Sequence, residues 1–393
     1  MTFLITLFAI QVFSILLNVT KFISSRMMIS LIRFSYAIFL LFSGFLKLID
    51  PLGFSYKLQE YFEVFGMEWL IPLSLFLAIF VVVFELFLGF FLIYGVHVKK
   101  VMWGNLLLML FFTFLTFFSA YFNKVTDCGC FGDFMKLDPW DSFFKDVYLV
   151  FISIVLFIKQ KDIKQIWSVH VTNRLLIGNL LLVAMVSIYT LLHIPLLDFR
   201  AYKVGTNIVK DRQLPSNAKQ DIYEDIWYYE VNEETREFST EDEPWKIQGA
   251  VFKDRKSKLI SKGDEPLIHD FDIIDEYSGR DMTDSILSMD RVFLLITYDI
   301  EKTNLNGHSN IRGFIQSVMN REIPVFGLSS SSAEDLENRL ENNSLKHPYF
   351  LVDQITLKTM IRANPGLFLL ENGFVIDKWH WRDVPDDISF ILN

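Results

Sequence analysis

Val101 to Lys159 reads VMWGNLLLMLFFTFLTFFSAYFNKVTDCGCFGDFMKLDPWDSFFKDVYLVFISIVLFIK, and this stretch decides what kind of protein the chain is. Two apolar runs, residues 101–122 and 143–159, flank a polar loop. Each approaches the ~20 residues a helix needs to cross hydrocarbon, so the stretch predicts a membrane-spanning helical hairpin. The loop holds Cys128 and Cys130, the only two cysteines among 393 residues. Any redox chemistry in this chain therefore belongs to Cys128-Gly129-Cys130-Phe131-Gly132-Asp133.

Working outward, further apolar runs at 3–19, 28–49, 69–95 and 174–194 bring the expected spans to six. Residues 3–19 lack the basic leader and small-residue cleavage site of a signal peptide and are read as a span. Lys21 and Arg26, then His97, Lys99 and Lys100, then Lys159, Lys161, Lys164 and Arg174 mark alternate connections, which the positive-inside rule assigns to the cytoplasm. The connections 50–68 and 124–146 then face outward, and so does everything after residue 194. For a bacterial cell this predicts an inner-membrane protein with a periplasmic C-terminal part.

The two halves differ in charge. Residues 1–194 carry about +3 and residues 195–393 about −12, together the chain's −9. No basic stripe exists to neutralise phosphates, so nucleic acid is not expected as a partner.

Glu85 falls inside a span, where a carboxylate is costly unless paired. Counting inward from the outer ends puts both Arg33 and Glu85 about 16 residues deep, ~24 Å below the surface, which predicts that they pair. Ser43-Gly44 reads as a site of close helix approach. Lys47, Asp50 and Pro51 end the span.

Arg33, the run Phe42-Ser43-Gly44-Phe45-Leu46-Lys47-Leu48-Ile49-Asp50-Pro51, Glu85-Leu86-Phe87-Leu88-Gly89 and Cys128-Gly129-Cys130-Phe131-Gly132 together resemble the DoxX/MauE group of redox-associated membrane proteins. The resemblance implies a four-helix transmembrane core over residues 28–159 and a role in disulfide formation or quinone-coupled electron transfer. Residues 1–27 and 160–195 would add flanking spans.

Cysteines two apart sit near the ~7 Å Cα limit for a disulfide, and Gly129 lets the backbone fold in. Three readings stay open. The pair is a reactive dithiol/disulfide, for which strain raises the potential; or a static bond that pins an outward loop; or a metal site, for which two thiolates are too few. Trp140, Phe143 and Phe144 read as interfacial aromatics that also offer a surface for a quinone ring.

Beyond residue 195 the pattern is that of a soluble region. Residues 196–290 predict β structure, with hairpins around Asn232–Thr235 and around Asp254–Ser257. From 291 strands and helices alternate: strand 291–298, helix 308–320, strand 324–328, helix 331–342, strand 349–352, helix 354–362, then a hairpin about Asn372-Gly373. Asn364-Pro365 immediately before that hairpin makes residues 291–393 resemble the thioredoxin fold. Where the fold places Cys-x-x-Cys, this chain has Asp299-Ile300-Glu301-Lys302-Thr303-Asn304. Without a thiol the domain cannot exchange disulfides, so the resemblance implies either a docking platform through Pro365 and Asn364 or a support domain. His269, His308, His347 and His380 have no metal-ligand spacing.

Two functions follow from these features. In one, Cys128 and Cys130 relay electrons between a periplasmic thiol protein and membrane quinone; no other cofactor is expected. In the other, the chain is a non-catalytic scaffold of an envelope complex with a structural disulfide.

Overall fold

The computed structural model describes residues 2–125, 129–231, 234–261, 263–340 and 347–386. It divides into two compact units, one of residues up to Arg200 with Trp379–Val384, the other centred on Ala201–Lys378.

The first unit is helical: α1 (Thr2–Val19), α2 (Ser25–Ile49), α3 (Pro51–Val64), α4 (Ser74–Tyr94), α5 (Val98–Phe122), α6 (Pro139–Ile158) and α7 (Val169–Leu192). Among the described residues five helical segments are long and apolar enough to cross a membrane: α1, α2, Glu68–Tyr94, α5 and α7. The sixth, α6, has twenty residues but carries Asp141, Lys145 and Asp146. In α2, 61% of the most apolar window is buried, against 17% in α7, so α2 is central and α7 peripheral.

Local chemistry explains the ends. Ser24 caps α2 by accepting from Met27 N at 3.2 Å. Asp50 closes α2 and opens α3, its carboxylate accepting from Gly53 N at 3.0 Å, and Pro51 takes the first helical position, where no amide donor is needed. α4 stops at Gly95 in the left-handed conformation.

The second unit contains two sheets. In the first, β1 (Ile222–Val231) lies between β2 (Glu234–Ser239) and β3 (Val251–Ser261), both antiparallel to it. The expected hairpin about Asp254–Ser257 is not there: β3 runs straight through it. The polar residues mark a solvated strand face rather than a turn, because Arg255 Nη2 reaches Asp225 at 3.1 Å and Ser257 Oγ donates to the same carboxylate at 2.5 Å.

The one-turn helices α8 (Ile208–Asp211) and α9 (Thr283–Leu287) precede the second sheet. Its order is β6-β5-β4-β7-β8, with β4 (Val292–Thr297) parallel to β5 (Val325–Ser329), β5 parallel to β6 (Tyr349–Leu351), and β7 (Gly366–Glu371) antiparallel to β4. α10 (Leu305–Met319), α11 (Ala333–Leu340) and α12 (Gln354–Met360) connect its strands, and β8 is Phe374–His380. Every residue of β4 is buried, as its unbroken apolar run requires of a strand covered on both faces. Asn372 and Gly373 both have positive φ, the turn that joins β7 to β8. The Asn364–Pro365 bond is cis.

Candidate functional site

Small residues set the site by fixing how α2 passes α4. A Cβ added to Gly44 would lie 2.8 Å from Leu86 Cγ, and one added to Gly89 would lie 2.9 Å from Leu41 Cγ. These close approaches impose an antiparallel register in which Glu85 lies opposite the loop-side end of α2. Lys47 Nζ accordingly meets Glu85 Oε2 at 2.9 Å, with each side chain 1% exposed.

Arg33 does not pair with Glu85, contrary to the expectation from depth. It lies at the other end of α4, donating from Nε to Leu92 O and from Nη2 to Ile93 O, both at 2.5 Å, and from Nη1 to Lys164 O at 2.9 Å. The depth count began the span at residue 69. Glu68–Leu73 instead form a 3-10 segment containing Pro72, the α-helix starts at Ser74, and the two helix ends do not lie level as the count assumed: Gly44 faces Leu86 and Gly89 faces Leu41, a register that sets Glu85 against the last turns of α2. Arg33 instead satisfies carbonyls that the helix end leaves without partners.

The Lys47–Glu85 pair is tied to the cysteine loop. Lys47 Nζ donates to Ser43 Oγ at 2.6 Å, and Ser43 Oγ donates to the carbonyl of Cys130 at 3.1 Å. Cys130 and Phe131 are buried, and Phe131 packs edge-on to Phe39 with centroids 6.0 Å apart. On the opposite flank Lys145 Nζ lies 5.2 Å from the Phe131 ring and 2.7 Å from Asp146 Oδ1. Asp146 also accepts from Thr116 at 3.1 Å. Gly129 has φ +66°, and a side chain there would meet Lys57 of α3 at 3.1 Å, so both conformation and space call for glycine. Cys128 lies outside the described residues, and with it the geometry of the Cys128/Cys130 pair.

Sequence reasoning passed over Lys145 and Asp146, and treated Ser43 and Lys47 as packing and anchoring residues. One signal was available: Ser43 and Lys47 are four apart on a helix, hence neighbours on one face of an otherwise apolar run. A second buried polar chain, Tyr36 OH to Asn105 Oδ1 at 3.2 Å and Asn105 Nδ2 to Ser153 Oγ at 2.8 Å, links α2, α5 and α6.

In the second unit Asn364 and Pro365 lie against the loop that follows β4. Asn364 Nδ2 donates to Asp299 O at 2.7 Å, and Asn304 N donates to Asn364 O at 3.0 Å. Both residues are buried, while Glu301 and Lys302 of the facing loop are exposed. His308 is buried beside Thr303, 3.1 Å away, and burial holds both His308 and His347 down to about 4, with His347 adding repulsion at His308. Among the described residues no three His, Cys, Asp or Glu side chains gather as metal ligands.

The helices and their charged interior define a multi-pass membrane domain with two buried ion pairs, Lys47–Glu85 and Lys145–Asp146, beside the loop that follows α5, joined to a region with two β-sheets. Residues 25–159 match the family model of methylamine utilisation protein MauE, so this membrane stretch is similar to that family. The match spans α2 to α6 and encloses the cysteine loop. No curated protein matches the chain.

Proposed function

We propose that this protein is a redox-associated component of the bacterial inner membrane whose Cys128/Cys130 loop, facing the periplasm, relays electrons from thiols. The observation that carries the reading is the chain Glu85–Lys47–Ser43–Cys130: buried charge is costly, and here it ends at a cysteine. A client thiolate attacks the loop disulfide, and one loop cysteine leaves with the bond's electron pair as a thiolate; a second client thiol then attacks the mixed disulfide, so that the client ends oxidised and the loop a dithiol. The reduced loop, one cysteine attacking and the other resolving, gives two electrons and two protons to a quinone and closes again as the disulfide. The exposed rings of Trp140 and Phe144 at the start of α6 offer a surface on which such a ring stacks.

The order of β4 to β8, with the cis proline before β7, supports a thioredoxin-like reading of the second unit. Because Pro365 is buried, docking of a client would run through Glu301 and Lys302 rather than the proline itself.

One observation favours the scaffold instead: Cys130 and Phe131 are packed into the helical core, as a structural staple would be. Trapping the thiols of the native protein in cells with acid and a mass-tagged maleimide decides between the two. Recovery of the oxidised pair within minutes of a reductant pulse supports the relay; a pair that stays oxidised until denaturation overturns it.

A further inference from the structure

We infer that Lys47, acting through Ser43, is the positioning residue that makes Cys130 the nucleophilic sulfur of the loop; the inference deepens the proposed relay and rests on it.

The direction of the hydrogen bonds carries the inference. Lys47 is the donor to both neighbours, 2.9 Å to Glu85 and 2.6 Å to Ser43, and Ser43 in turn is the donor to the Cys130 carbonyl at 3.1 Å. The ammonium therefore stands between the carboxylate and the loop. The ion pair is a dipole with its positive end toward Cys130, and the Ser43 hydroxyl extends that polarity to the cysteine's own backbone. In a region that excludes water such a dipole is weakly screened. It favours negative charge on the loop, which is what a thiolate needs and what burial of Cys130 opposes.

The other charged groups around the loop include Lys145 and Asp146 on α6, paired at 2.7 Å, Lys57 on α3, paired with Glu60 at 3.0 Å, Asp133 in the loop, and Asp50 with the Arg200–Asp198 pair, at 2.7 Å, in the recess that Phe131, Gly132 and Asp133 also line. Lys57 lies beside Gly129. The chain from α2 bonds directly to the Cys130 carbonyl. Its members come from two helices whose close passage is set by Gly44 and Gly89.

The test uses the full chain in detergent carrying Cys128→Ser, so that Cys130 is a thiol whatever its partner does in cells. The rate of iodoacetamide alkylation is followed against pH. In the Lys47→Gln, Glu85→Gln background, which removes the dipole without stranding a charge, the midpoint should rise by about one pH unit, a fall of about tenfold in rate at neutral pH. Ser43→Ala, with the ion pair intact, should move the midpoint in the same direction and serves as the second variant should the double one fail to fold. An unchanged profile in Ser43→Ala overturns the inference, whether or not the double variant shifts, because the effect would then not pass through Ser43. A loop found fixed as a disulfide in cells would overturn the relay while leaving this profile measurable, so the two failures are distinguishable.

Discussion

Lys47 and Glu85 share a burial that neither could sustain alone. Removing one partner of such a pair leaves the other charged in a water-poor interior, at a cost of about 3–5 kcal/mol, whereas replacing both with apolar groups is often nearly neutral. Glu85→Ala should therefore lower the thermal midpoint of the detergent-solubilised protein steeply, and Lys47→Met should restore much of the loss. Arg33→Ala combined with Glu85→Ala should be additive to within about 0.5 kcal/mol, since Arg33 bonds the carbonyls of Leu92 and Ile93, about two turns along α4 from Glu85. Strong coupling between Arg33 and Glu85 in that double-mutant cycle would contradict the register described above. Glu85's need for a partner was legible in the sequence, because a carboxylate amid phenylalanines and leucines demands one. Which partner was not: that depends on how far α2 and α4 slide past one another, which the contacts of Gly44 with Leu86 and of Gly89 with Leu41 decide and no count of residues from the helix ends reveals.

At the scale of the element, the register of α2 and α4 rests on glycines with different duties. Gly95 ends α4 with φ +70°, and a Cβ there would come within 2.8 Å of the Lys164 carbonyl carbon and 3.0 Å of Arg33 Nη2. Gly95→Ala should cost at least about 1 kcal/mol for the left-handed backbone alone, with the clash adding to it. Gly178, inside α7, has nothing within 4 Å of its Cβ direction. Gly178→Ala should be neutral or mildly stabilising, and differential scanning fluorimetry of the two variants separates the cases. Long apolar runs, the Asn372-Gly373 turn and the alternation after residue 291 were readable because each follows a local rule. The hairpin about Asp254–Ser257 was misread for a physical reason: four consecutive polar residues look the same whether they turn or line a solvated strand, and only pairing with Asp225 on β1 tells them apart.

For the whole molecule, the buried histidines of the second unit predict an acid limit. His308 and His347 have pKa values near 4, below the 6.5 of the free side chain. Between those values the unfolded chain binds protons that the folded chain does not, so their contribution is complete above about pH 6.5 and falls as pH drops toward 4. Amide exchange in β4 and β5, corrected for the intrinsic chemical rate, should quicken over that window in the full-length protein. His347→Phe should flatten the dependence; an identical slope in both proteins would remove the histidines from the explanation. No reading of the sequence reached this, because burial of a histidine is a property of the assembled sheet and its helices.

The strand β3 is an edge of its sheet, eleven residues long and exposed throughout. A bare ribbon of that length is a template on which further chains can polymerise, especially where proteins are crowded on one membrane. Lys253, Arg255, Lys256 and Lys258, with Asp254 the one acid among them, give it a mainly positive charge that a neighbouring copy could add to only by burying or stacking like charges. The polar run that resembled a turn thus opposes strand addition along one open edge of the sheet.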